Sequence, residues 1–314
     1  MEQKQYVVIS CPIDTYSGYG SRARDFVKAT VEAKKDEWDV WVMPQRWGET
    51  PWGYIQDHKE EWGWLLQKML PFGQPLNQKP DVWMQITVPN EFQPIGNYNI
   101  GVTAGIETTL CHHEWLMGLN RMDLNLVSSE HSKQVFLHTK AKDNNSNHIL
   151  ELTKPVEVLF EGVDTEIFSK GTNKNILDNV KEDFCFLVVG HWLKGNLGQD
   201  RKDIGMAIKT FATVFQYLPK DKRPALIVKT SHAGFSIIDR ETTRQKIEDV
   251  LKPFGDKCPS VYLIHGDLEE ADMASLYHHP KVKAMVSFTK GEGYGRPMAE
   301  FTLTGKPIIA SGWS

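Results

Sequence analysis

Short apolar runs rich in Val, Ile, Leu and aromatic residues alternate along the chain with longer stretches in which apolar positions return every third or fourth residue. The runs predict strands and the periodic stretches helices, because side chains alternate across a strand and share one face of a helix at about 3.6-residue spacing. In the first half this predicts strands at Tyr6–Ser10, Asp39–Met43, Val82–Ile86, Asn99–Thr103, Leu124–Val127 and Val156–Phe160, with helices over Ser21–Ala33, Asp57–Met69 and Ser132–His138. A polar, small-residue stretch, Ser169-Lys170-Gly171-Thr172-Asn173-Lys174-Asn175, interrupts the pattern. The alternation then restarts, with predicted strands Phe184–Val189, Ala225–Lys229, Ser260–Ile264, Val282–Ser287 and Pro307–Ala310. The helices between them are Ile204–Tyr217, Arg240–Leu251, Glu269–Tyr277 and Pro297 to about Leu303. Repeated strand, helix, strand units define a parallel sheet with helical crossovers, so the fold class is α/β with two Rossmann-like domains, 1–172 and 173–314. Two such domains imply a cleft, with ligands beyond the carboxyl ends of the strands. The chain stops at Trp313-Ser314 just after a strand, which reads as an incomplete C-terminal end.

Composition narrows the classes. Of 314 residues, 40% are hydrophobic and 24% charged, enough apolar material to fold without disulfide or metal staples. Lys plus Arg (36) against Asp plus Glu (40) leaves a net charge of −4, which argues against a generic nucleic-acid binder. Cys11, Cys111, Cys185 and Cys258 form no C-x-x-C pair and read as reduced core residues. No secretory leader or membrane-spanning window is present, so a cytoplasmic location without an integral membrane segment is expected. The pairs His112-His113 and His278-His279 lack a helical H-x-x-x-H or H-E-x-x-H partner, and no metal is expected. No G-x-S-x-G elbow announces a hydrolase triad.

The most informative stretch is Gly291-Glu292-Gly293-Tyr294-Gly295-Arg296-Pro297-Met298-Ala299-Glu300, which follows a predicted strand and opens a helix with a proline in its first turn. Its glycines let the backbone approach a ligand, and amides at a helix start favour an anion. Glu292 and Glu300 place two carboxylates where both can reach one pocket, and a carboxylate suits the vicinal diol of a sugar or ribose. The bland alternative is a Gly-rich turn whose acidic residues merely complement the helix dipole.

With this motif the sequence resembles the GT-B glycosyltransferases of the family 4 type, which carry a Glu-x7-Glu motif at this place. Further matches follow in order: Ser17-Gly18-Tyr19-Gly20 as a glycine loop after the first strand, Val127-Ser128-Ser129-Glu130-His131-Ser132, Glu161-Gly162-Val163-Asp164, Arg201-Lys202-Asp203-Ile204, and Gly305-Lys306-Pro307-Ile308-Ile309-Ala310-Ser311. The resemblance implies a retaining, metal-independent transfer of a sugar from a nucleotide-sugar donor to an acceptor hydroxyl, with no cofactor beyond the co-substrate. It implies that Glu292 sits beside the donor sugar and that Glu300 binds the ribose. Gly293, Tyr294 and Gly295 would contact sugar and diphosphate, and Lys202 with Arg201 would neutralise the leaving diphosphate. Gly18, Tyr19 and Gly20 would close over diphosphate or acceptor, and Glu107, past a strand end, would position the acceptor hydroxyl or donor sugar.

The chain departs from the pattern at His191, where the family usually has an arginine, so the second phosphate cation is open among Arg201, Lys229 and Arg296. Gly18-Tyr19-Gly20-Ser21-Arg22-Ala23 also fits a dinucleotide fingerprint, but it lies eight residues past the first predicted strand, and no acidic residue ends the second. Trp38, Trp41, Trp47, Trp52, Trp62, Trp64 and Trp83 suit either core packing or a stacking platform for an acceptor. The acceptor stays open among glycan, lipid, protein and modified base. The rival functions are a non-catalytic nucleotide-sugar-binding module and an epimerase or phosphorylase on the same fold.

Overall fold

The computed structural model describes residues 4–142, 149–193, 197–232 and 234–313. They form two compact units, one running to Gly162 and the other spanning Val163–Trp313.

The first unit contains β1 (Gln5–Cys11), α1 (Gly18–Lys34), β2 (Trp38–Pro44), the single turns α2 (Tyr54–Asp57) and α3 (Lys59–Trp62), β3 (Val82–Ile86) and β4 (Tyr98–Thr103). It continues through α4 (His113–Leu119), β5 (Leu124–Val127), α5 (Glu130–His138), the small hairpin β6 (Ala141–Lys142) and β7 (Ile149–Leu150), and β8 (Val156–Val158). Six strands make one parallel sheet in the order β2-β1-β3-β4-β5-β8. Pleating sends Val7 and Ile9 of β1 into one core with Ala23 and Val27 of α1, and Val8 into a second core with Leu116, Val135 and Phe136. Both faces are therefore covered, which is why these strands read as near-continuous apolar runs.

Three local expectations change. The predicted helix Asp57–Met69 breaks into α2, α3 and a 3-10 segment, Gly63–Lys68, because His58 leaves helical geometry (φ −111°, ψ 41°), with its amide and its Nδ1 both turned to the Tyr54 carbonyl at 3.0 and 2.9 Å. The predicted strand Val156–Phe160 ends at Val158, where the carbonyls of Leu159 and Phe160 accept from the Arg22 guanidinium at 2.8 and 3.2 Å. Gly18, Tyr19 and Gly20 are not a loop: they form the first turn of α1, because the Ser17 side chain caps the Gly20 amide at 2.9 Å.

The second unit contains α6 (Thr165–Phe168), β9 (Cys185–Val189), α7 (Ile204–Phe215), β10 (Ala225–Lys229), α8 (Ile237–Leu251), β11 (Val261–Ile264), α9 (Glu270–His278), β12 (Val282–Ser287), α10 (Arg296–Thr302) and β13 (Ile308–Ala310). Its five parallel strands run β11-β10-β9-β12-β13. Cys185 and Leu187 face a core with Phe301 and Tyr277, and Val188 faces the opposite core with Ile204 and Phe211. Packing divides the chain about ten residues before the composition shift at 172–173: the amides of Thr172 and Asn173 donate to Ser275 Oγ at 3.0 and 2.9 Å, and His278 Nε2 lies 2.9 Å from the Phe168 carbonyl. These bonds tie the polar stretch to α9.

Candidate active site

Strand order locates the site of the second unit. The chain runs outward from β9 to β10 and β11, then returns to the other side of β9 as β12 and β13. Beyond the carboxyl ends of β9 and β12, consecutive connections leave in opposite directions, and open parallel sheets bind ligands in the crevice this creates. The described stretches that border it are 190–193, 197–203 and 288–295.

The loops are tied together there. The Lys290 amide donates to the Arg201 carbonyl at 2.9 Å, and Arg201 Nη1 donates to the Gly291 carbonyl at 2.7 Å. Thr289 Oγ1 donates to the same carbonyl at 2.9 Å, and Ser311 Oγ, just past β13, donates to the Thr289 carbonyl at 2.8 Å. Asp203, the one non-glycine at positive φ among the described residues (52°), stands at the N-terminal boundary of α7 in left-handed geometry without a side-chain cap bond. Such conformations cost free energy and persist where surrounding structure holds them. Here the held turn carries Arg201 and Lys202.

Glu292 projects into this frame. Its Oε1 contacts Lys202 Nζ, and its Oε2 lies 3.4 Å from Arg201 Nη1. Lys202 and Glu292 are mostly buried, with side chains 17% and 13% exposed, whereas Arg201 is 51% exposed. His191 follows β9 with its Nδ1 3.2 Å from Ser231 Oγ, and burial, reinforced by the charges of Lys229 and Lys202, holds its pKa below the ordinary imidazole value. Lys229, at the end of β10, donates to the Gly266 carbonyl at 2.7 Å, and burial lowers its pKa as well. Three cations thus gather around one imidazole and one carboxylate, an arrangement suited to a multiply charged anion.

Of the candidates for a second phosphate cation, Arg201 lies with Lys202 on Glu292, Lys229 donates to the Gly266 carbonyl, and Arg296 opens α10. Gly293 and Tyr294 are half-buried, and Gly295 is buried at the N-cap of α10 with φ 80°. A Cβ at Gly295 would lie 2.9 Å from Met298 Cε, and at 3.5 Å would touch Glu292 Cγ without clash, so the glycine is needed first for its left-handed conformation. Glu300 is buried on α10 and accepts from the Tyr277 hydroxyl at 3.0 Å. Tyr277 carried no signal in the sequence, because its meeting with Glu300 joins two helices through the tertiary fold.

Gly18, Tyr19, Gly20 and Glu107 belong to the first unit. Gly20 is a packing glycine, since a Cβ there would lie 2.2 Å from the Thr15 carbonyl oxygen, whereas Gly18 is exposed and meets nothing. Tyr19 stacks on Trp47 with ring centroids 3.9 Å apart; its hydroxyl accepts from the Ala104 amide at 3.0 Å and lies 3.1 Å from Thr103 Oγ1. Burial pushes its pKa up to about 12. Tyr19 therefore fixes the end of β4, from which the half-buried Glu107 follows. Among the tryptophans, Trp62 and Trp83 are buried, Trp38 and Trp41 pack against the cores, and Trp52 and Trp64 are exposed. His112, His113 and Glu114 form an exposed trio at the start of α4, with ligand atoms all within 4.8 Å of one another. No described helix is long and apolar enough to cross a membrane.

No family model matches the chain, and no curated protein does. Solved structures do match along the whole length, and they define its class: it has the GT-B fold of two Rossmann-like domains. The chain is similar to the apo structure of OtsA (12% identity, TM-score 0.63, covering 99% of this chain and 85% of that one). It is also similar to a UDP-forming α,α-trehalose-phosphate synthase from Burkholderia xenovorans in complex with glucose-6-phosphate (10%, TM-score 0.61, 99% and 86%). A third similar structure is the sucrose-phosphate synthase of Thermosynechococcus elongatus (13%, TM-score 0.59, 99% and 82%). These likenesses carry the fold and do not single out family 4.

Proposed function

We propose that the chain is a retaining glycosyltransferase that moves a sugar from a nucleotide donor to an acceptor hydroxyl. The observation that carries this reading is the convergence of Lys202 and Arg201 on Glu292 beyond the carboxyl ends of β9 and β12. A nucleoside diphosphate leaving the anomeric carbon gains negative charge, and fixed cations at that point lower the barrier; one well-placed donor is worth about 10²–10³ in rate. Glu292 lies beside the sugar and balances the positive charge that develops at the anomeric carbon, while Glu300 accepts from the ribose. The anomeric bond to the phosphate oxygen breaks as the acceptor oxygen bonds to the same face, and the acceptor proton passes to the departing phosphate. The amides of Gly293, Tyr294 and Gly295 border the sugar and diphosphate, and Glu107 of the first unit orients the acceptor or sugar.

The solved neighbours support a sugar-nucleotide reading: one is bound with UDP-2-fluoro glucose and another with glucose-6-phosphate. Lys202 and Arg201 give the diphosphate its counter-charge from side chains, so the proposed reaction requires no metal.

The test is a thermal-shift screen over UDP-, GDP- and ADP-sugars followed by turnover of the labelled donor that binds, with and without EDTA. A ligand that binds the folded state raises the midpoint. Binding with transfer unaffected by EDTA is expected. Binding without turnover on any acceptor points to a nucleotide-sugar-binding module, and a donor altered in the absence of acceptor points to an epimerase.

A further inference from the structure

Glu300, the second acid of the motif, is buried on α10 against Tyr277 of α9. We propose that Tyr277 is a positioning residue that makes the nucleotide site selective for ribose over deoxyribose, by holding the Glu300 carboxylate where the sugar hydroxyls of the nucleoside are read. This rests on the donor-site reading above and assigns the source of its selectivity.

Three observations support it. First, the Tyr277 hydroxyl donates to Glu300 Oε2 at 3.0 Å, and the residues are only 1% and 7% exposed, so water does not substitute for this bond. Second, the Tyr277 ring is itself pinned: Phe301 meets it edge-on, with centroids 5.7 Å apart and planes at 90°, and Phe168 lies 6.1 Å away. The hydroxyl therefore comes from a fixed direction, and it fixes one oxygen of the acid. Third, burial and the Glu300 charge raise the phenol pKa well above its ordinary value, so the hydroxyl stays protonated and acts only as the donor. A core tyrosine needs only some partner for its hydroxyl; this one is satisfied by an acid on the helix that follows the glycine loop.

The test uses Tyr277→Phe, which keeps the ring and deletes one oxygen. Dissociation constants are measured by calorimetry for UDP, GDP and ADP and for their 2′-deoxy and 3′-deoxy counterparts. The wild type is expected to prefer the ribonucleotide by about tenfold or more, the scale of a hydrogen bond to a charged group. In the variant the preference collapses to within about threefold, donor KM rises, and kcat at saturating donor stays within about twofold. If the variant fails to fold, Glu300→Asp, which draws the carboxylate back from Tyr277, is expected to lose the same preference. Two results overturn the proposal: a wild type that binds a nucleoside diphosphate without discriminating ribose, which leaves the donor-site reading standing, and a folded variant that keeps the preference while losing only stability. A wild type that binds no nucleotide overturns both.

Discussion

Glu292→Gln tests whether the carboxylate competes with the donor for the same cations. The substitution keeps the length and hydrogen-bonding capacity of the side chain and removes its charge. In the unliganded site Lys202 contacts Oε1, and both side chains are mostly buried, so solvent screens the pair weakly. The Arg201 contact, at 3.4 Å and with the guanidinium half-exposed, adds little. A hydrogen bond to a charged group is worth about 1.5–3 kcal/mol. A diphosphate that recruits Lys202 must overcome that interaction, and a neutral amide gives back roughly half of it, at the upper end of the range about 1.4 kcal/mol, or tenfold in Kd. Nucleoside diphosphate is therefore expected to bind the variant about tenfold tighter by calorimetry at fixed ionic strength. Sugar transfer is expected to fall by at least about 10², because the anomeric charge loses its partner. Without ligand the variant has a lower Tm, since the mostly buried Lys202 loses the charge of the Glu292 carboxylate. A folded variant that binds nucleoside diphosphate no better than wild type would falsify the competition.

The remaining predictions concern neighbouring groups. Lys202→Ala is expected to weaken nucleoside diphosphate binding about tenfold or more and Arg201→Ala by less, given their difference in burial; equal losses in calorimetry would contradict this order. His191 and His279 both have pKa values held below the ordinary 6.5, first by burial, so the unfolded chain takes up protons before the folded one. Their contribution to stability is full above about pH 6.5 and is lost as pH falls below it; a denaturation midpoint that does not drop over that window, or a slope unchanged in His191→Gln, counts against the assignment. Gly295→Ala and Gly20→Ala should both destabilise, the first by about 1–2 kcal/mol from its left-handed backbone. Only Gly295→Ala should change nucleoside diphosphate affinity, because it strains the left-handed end of the loop that carries Glu292 and drives a Cβ against Met298; a comparable change in Gly20→Ala would return the α1 turn to the nucleotide site.

Much of this protein was legible from local pattern. A parallel sheet covered on both faces demands apolar strands, and the predicted strands Val82–Ile86, Leu124–Val127, Ala225–Lys229 and Val282–Ser287 match the observed ones residue for residue. The glycine loop that follows β12 was visible because positive φ and close packing require residues that sequence displays openly. Failures came where local bonds of one residue override the apolar spacing: His58 ends a helix that the spacing extends, Arg22 binds carbonyls at a strand end, and Ser17 caps a turn that draws two glycines into a helix.

By itself the sequence determined the two α/β halves and the main strands and displayed the acids Glu292 and Glu300, since each depends on neighbours within a few residues along the chain, whereas α4, α6 and the β6–β7 hairpin were too short to show in its pattern. Tertiary structure alone decided which groups those acids meet. Lys202 reaches Glu292 across 90 residues and Tyr277 reaches Glu300 across 23, and no spacing rule encodes either meeting. Strand order decides it instead: placing β9 beside β12 brings their loops together, and packing α9 near α10 buries the phenol against the acid.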